Sequence, residues 1–135
     1  MQAYKVIDKE TEMGSNASIF RNRYGTDMLT LVIDANNLQP YFPRYIEGSI
    51  IKKIPRSPGI MAFRNLRCAT WFQEVNNLKK STKIVLVEGK LCKRQSKSIF
   101  DGVAVRPELF KSRHRKIRRD VPIGTIFFDY VKVLE

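Results

Sequence analysis

Residues 67–91 read Arg-Cys-Ala-Thr-Trp-Phe-Gln-Glu-Val-Asn-Asn-Leu-Lys-Lys-Ser-Thr-Lys-Ile-Val-Leu-Val-Glu-Gly-Lys-Leu, and two periodicities meet inside this stretch. In its first half Trp71, Phe72, Val75 and Leu78 recur at helical spacing. Thr70 is a residue type suited to cap the first turn, and Lys79 and Lys80 suit the negative end of the helix dipole. The spacing predicts a helix over residues 70–80. The second half, Thr82 to Leu91, is rich in β-branched residues and runs into a polar, basic stretch. That composition predicts a strand.

Further strands are expected on both sides. Thr125–Leu134 follows Pro122 and Gly124, and Tyr4–Ile7 forms a short run near the start. Asp27–Asp34 alternates Leu29, Leu31 and Ile33 with Met28, Thr30 and Val32, which reads as a strand. Ile60–Cys68 alternates in part, and Ser49–Ile54 is a weaker candidate. The resulting order has a single helix between the third and fourth strands. It is the order of an OB-like β-barrel, mainly β, with five to six strands. Residues 106–119, entered through Pro107, suit a second, basic helix.

At 135 residues the chain is expected to form one domain. Its charge is unevenly spread. Between Lys90 and Arg119 there are eleven Lys and Arg against Asp101 and Glu108, so this region carries +9 of the formal +12. A field of that sign attracts polyanions, of which nucleic acid is the commonest. A membrane surface is a poorer partner, because Ile117 is the only apolar residue between Lys111 and Arg119. No apolar run approaches the roughly 20 residues needed to span a bilayer. Cys68 and Cys92 match no metal spacing, and with a polar N-terminus they predict an intracellular, reducing compartment. A disulfide between them is the less expected alternative.

The helix–strand segment 67–91 resembles the middle of bacterial-type single-stranded DNA-binding proteins, a family of OB-fold proteins. The likeness lies in a short helix ending in a basic Leu-x-Lys-x tetrad, here Leu78 to Ser81, and a strand ending in V-x-G-x-L, here Val87 to Leu91. The polar stretch from Lys93 to Lys97, followed by Phe100 and Gly102–Val105, resembles that family's long hairpin into its last strand. The resemblance implies a groove for single strands, with aromatic side chains stacking on bases and Lys or Arg following the phosphates.

The residue types support that division of labour, since stacking is sequence-tolerant and phosphate contacts are ionic. Phe20, Tyr24, Tyr41, Tyr45, Phe63 and Phe100 are candidate stackers, because each sits beside Arg, Pro or Gly or outside an apolar run. Trp71, Phe72, Phe127 and Phe128 are expected in the core. The phosphate contacts are expected from Lys90, Lys93, Arg94, Lys97, Lys111, Arg113, His114, Arg115, Lys116, Arg118 and Arg119. Asn36–Gly59 holds four of the six prolines, and an irregular connection of that length predicts a functional segment.

Catalysis has weaker support. Glu88-Gly89-Lys90 fits the E-x-K half of a PD-(D/E)-x-K nuclease, in which two carboxylates hold Mg²⁺. The nearest upstream aspartate is Asp34, far from the expected position. His114 has no neighbouring carboxylate or nucleophile, and the seven glycines form no phosphate loop. The expectation is therefore a non-catalytic binder of single-stranded DNA or RNA with no cofactor and no metal. A structural RNA-binding subunit of a ribonucleoprotein or viral assembly, or a homo-oligomer, is the alternative arrangement. The nuclease is the third.

Overall fold

The strand at residues 2–8 carries apolar side chains on both faces, so it must lie between two packed layers. In the computed structural model, which describes residues 1–100 and 118–135, that strand is β1 (Gln2–Asp8). Two helices follow, α1 (Ser15–Tyr24) and α2 (Thr26–Ala35), and then a 3-10 turn at Gln39–Tyr41. Next come β2 (Ile50–Lys52), β3 (Ile60–Phe63), α3 (Leu66–Val75) and β4 (Thr82–Leu91). The chain finishes with β5 (Ser98–Phe100), β6 (Arg118–Asp120) and β7 (Thr125–Val133).

Four strands close on themselves in the order β7-β3-β1-β4-β7, and β2 joins the barrel along β7. Every pairing is antiparallel. β4 turns the corner: its first seven residues pair with β1, and Val87–Leu91 pair with β7. One edge of β7 is shared, with β3 on residues 125–128 and β2 on residues 130–132. The fold is a mainly β, OB-like barrel with a short helix between its third and fourth strands. β5 and β6 form a separate two-stranded antiparallel ribbon, in which Ser98 faces Asp120 and Phe100 faces Arg118.

Alternation on each strand fills the barrel. Ala3, Ile7, Val85, Val87, Ile126, Phe128, Val131 and Val133 point inward and form one apolar cluster. The parity change between Phe128 and Val131 comes from a β-bulge: Lys90 pairs with Tyr130 and Leu91 with Phe128, leaving Asp129 as the extra residue. Gly89 lies opposite this point, where a Cβ would come 1.9 Å from the Tyr130 carbonyl oxygen. Only glycine admits that approach of β4 to β7. On the outer face of the barrel, Val6 of β1 and Phe63 of β3 pack against Ala69 and Phe72 of α3.

Several sequence expectations change. Asp27–Asp34 is helix α2, not a strand. All six residues 28–33 except Thr30 are apolar, so a period of two and a period of 3.6 both fit the composition. Burial decides for the helix, because Leu29 and Ile33, four apart, are buried while Met28 and Leu31 are exposed. The weaker candidate at Ser49–Ile54 supplies the second strand instead. Ile60–Cys68 splits into β3 and the start of α3. That helix starts earlier than predicted because Asn65, not Thr70, caps it: its Oδ1 accepts from the Cys68 amide at 2.9 Å. The helix docks through Ala69, Phe72 and Gln73, which leaves Trp71 on its outer side at 52% exposed, while Phe72, Phe127 and Phe128 are buried as expected. Cys68 and Cys92 are free thiols. The second, basic helix expected at 106–119 falls almost wholly outside the described residues, and its last two residues belong to strand β6.

Candidate nucleic-acid interface

Outward-facing residues on neighbouring strands stand side by side, so the β2–β7–β4 register can be read directly as a surface. Lys52 pairs with Tyr130, and Tyr130 pairs with Lys90 on its other side. All three are exposed. The next row holds Ile50, Lys132 and Glu88, also exposed. The result is a tyrosine ring flanked by two lysines, with a third lysine in the adjoining row. Neighbouring strands lie roughly 4.8 Å apart, so Lys52 and Lys90 bracket about 10 Å of sheet.

The chain leaves β4 as Cys92–Lys97, folded back over β7. The Gln95 side-chain amide binds the Phe127 amide at 2.7 Å and the Phe127 carbonyl at 2.9 Å. This clamp covers Phe127 and directs Lys93, Arg94 and Lys97 to solvent. None of Lys90, Lys93, Arg94 and Lys97 forms an ion pair with a described carboxylate. A β-bulge carboxylate organises the other side. Asp129 takes Lys53 Nζ at 3.0 Å and the Cys92 thiol at 3.2 Å. The Lys53 contact, then the thiol, holds the Asp129 carboxyl below the usual carboxylate range.

Beside this face, a cleft of about 270 Å³ opens where β2 and the Pro-rich connection meet α1. Its lining includes Pro40, Tyr41, Pro43 and Tyr45 from the Pro-rich connection, Lys52 and Lys53 from β2 and the residue after it, and Gly14 and Lys5. Lys5 sits on the inward face of β1 between Ala3 and Ile7 and is only 7% exposed. Its Nζ donates to the Met61 carbonyl at 2.6 Å and lies 4.9 Å from the centre of the Tyr45 ring. Burial lowers its pKa to about 8 and raises that of the Tyr45 phenol.

The candidates named from sequence are not all brought together. Lys90, Lys93, Arg94 and Lys97 share one end of the barrel. Phe63 is 1% exposed and belongs to the core, and Tyr45 is a buried wall of the cleft. Neither can stack on a base as these side chains now lie. Tyr41 lines the cleft mouth. Tyr24, half exposed, packs at a 45° tilt against Phe20 with ring centres 4.7 Å apart and has the Arg23 guanidinium 5.5 Å from its ring. That pair belongs to α1, whose Asn22 holds Ser81 at the start of β4. Up to roughly 26 Å of strand therefore separates it from Lys90. Residues 111–116 lie outside the described residues, and the side chains of Phe100, Arg118 and Arg119 are likewise not described.

The nuclease candidates also separate. Glu88 and Lys90 point outward on β4, with Glu88 opposite Lys132. Asp34 ends α2, not a strand, and accepts from Gln39 Nε2 at 3.3 Å. Among the described residues no three His, Cys, Asp or Glu side chains gather in a metal-holding group. None of the described helices is long and apolar enough to cross a membrane.

Sequence reasoning missed Tyr130, Lys52 and Lys5. Tyr130 sits inside an apolar run and reads as core until the bulge at Asp129 is known. Lys5 carried a weak signal, as the one charged residue within Ala3–Ile7. No family model, curated protein or solved structure matches the chain.

Proposed function

We propose that the protein is a non-catalytic binder of single-stranded nucleic acid, similar in working principle to OB-fold single-stranded DNA-binding proteins. The observation that carries this reading is the Lys52–Tyr130–Lys90 row on the outer face of the barrel. A base stacked on the Tyr130 ring would place its flanking phosphates toward the two ammonium groups. Stacking needs no particular base, and ionic contacts to phosphate carry no sequence information. Lys93, Arg94 and Lys97 extend the cationic surface away from the row. The net +9 between Lys90 and Arg119 continues that field along the chain.

Fluorescence anisotropy of the full chain against labelled single-stranded DNA, single-stranded RNA and duplex, at two salt concentrations with EDTA present, tests the reading. A salt-dependent preference for one single strand is expected. Equal, weak binding to all three would remove it.

The alternative, a structural RNA-binding subunit of a larger assembly, draws on the exposed Trp71 and Val75, one turn apart on α3. Such a subunit would copurify with RNA and self-associate once stripped of it, whereas the free-standing binder would remain monodisperse.

A further inference from the structure

The cleft beside the row contains a charge that the described part of the protein does not balance. Lys5 is more than nine-tenths buried, yet its ammonium meets no described carboxylate. An ammonium has three N–H donors, and the Met61 carbonyl accepts one. No other described group accepts from Lys5. A charge held in this way is costly unless an anion completes it.

The same cleft contains a second electropositive element. α1 begins there, with Gly14 as its N-cap and Ser15 and Asn16 in its first turn. The N-cap residue Gly14 has no side chain to cap this end and no acidic residue lies in the first turn; Asn16 Oδ1 accepts from the Ala17 amide at 3.0 Å, which leaves the Ser15 and Asn16 amides for a ligand. Uncapped amides at a helix start form a ready site for anions. Gly14 keeps the two elements close: even a Cβ built on it would lie 4.0 Å from Lys5 Nζ. Tyr41, Pro40 and Pro43 add apolar surface to the lining of the same cleft.

We propose that the cleft is a binding site for a nucleotide, its phosphate held by Lys5 and the start of α1 and its base against Tyr41 and the two prolines. The site stands on its own geometry and does not depend on strand binding at Tyr130. Its ligand has two sources, a free mononucleotide or the phosphorylated end of a strand approaching over Lys52.

Isothermal titration of the full chain with AMP, adenosine, inorganic phosphate and a 5′-phosphorylated tetranucleotide tests the proposal. AMP is expected to bind saturably and at least about tenfold more tightly than either adenosine or phosphate. Lys5→Met, checked for folding by circular dichroism, is expected to lose AMP binding by about tenfold or more. Tyr41→Ala, a change at the cleft mouth, should weaken AMP but not phosphate. A tetranucleotide that binds more tightly than AMP identifies strand ends as the ligand, and equal affinity identifies the free nucleotide. Either result keeps the site. Absence of saturable AMP binding, or unchanged affinity in folded Lys5→Met, overturns it. Because Tyr130→Ala should leave AMP affinity intact, failure here is distinguishable from failure of the strand-binding reading.

Discussion

The ammonium of Lys5 lies 4.9 Å from the centre of the Tyr45 ring, inside a barrel end where both residues are almost wholly buried. The ring face offers the cation an electrostatic partner, worth about 2 kcal/mol where water is excluded. Burial nonetheless outweighs it, since the Lys5 pKa falls from 10.5 to about 8.

That shift makes Lys5 a liability to stability. A depression of this size corresponds to about 3 kcal/mol against the charged form. Between pH 8 and 10.5 the unfolded chain holds the proton that the folded chain has released, so stability rises with pH across that window. Lys5→Met should therefore raise the urea midpoint at pH 7. The difference from wild type should shrink as pH climbs to 10.5. A methionine variant less stable than wild type at pH 7 would contradict this account.

Asp8 shows the opposite sign. It is fully buried and takes the Arg21 guanidinium at 2.8 Å, the Ser18 hydroxyl, and the Thr11 amide and hydroxyl at 2.9 and 2.7 Å. Burial alone would raise its pKa, but the bonds from Arg21, Ser18 and Thr11 together hold it below 3.8. The network fastens α1 to the end of β1. Asp8→Asn should cost roughly 3 kcal/mol at pH 7, as expected for a broken buried pair. The carboxylate's contribution is complete above the unfolded pKa and fades as pH falls through the lower folded value. Denaturant melts of both proteins at pH 7 and pH 3 should show the gap narrowing in acid.

Tyr130→Ala should weaken single-strand binding by about 1–2 kcal/mol without changing the salt slope, because stacking releases no counterion. Lys52→Ala and Lys90→Ala should each lower the slope of log affinity against log salt by about 0.7. Anisotropy titrations over four salt concentrations separate the two effects. A changed slope in the tyrosine variant would mean that the row is not dividing the work in this way.

Gly89→Ala should damage the barrel more than an ordinary strand substitution. Its methyl group would come 1.9 Å from the Tyr130 carbonyl oxygen and 3.0 Å from the Tyr130 carbonyl carbon and Val131 Cα, all of them backbone atoms that cannot swing aside. Forcing β4 from β7 should cost about 3 kcal/mol, the upper end of overpacking, and also disturb the Lys90–Tyr130 pair. Thermal melting together with strand-binding affinity would show both losses.

The β-branched runs at Thr82–Leu91 and Thr125–Leu134, set off by proline and glycine, made strands β4 and β7 legible in the sequence itself. Alternating side chains specify a strand locally only where no helical period competes, as at Thr82–Leu91 but not at residues 27–34. The concentration of cationic residues after Lys90 was equally legible, since charge needs no fold to be counted. Tertiary structure alone decided the rest. In residues 28–33 nearly every side chain is apolar, so only packing of Leu29 and Ile33 against α1 and Phe42 selects the helix. Tyr130 became a surface residue through one extra residue, Asp129, which reverses the parity of β7. Lys5 acquired its unbalanced charge because Met61, Tyr45 and the start of α1 converge on it from distant parts of the chain. Local sequence encodes periodicity and charge; which face meets water depends on what other segments bring to cover it.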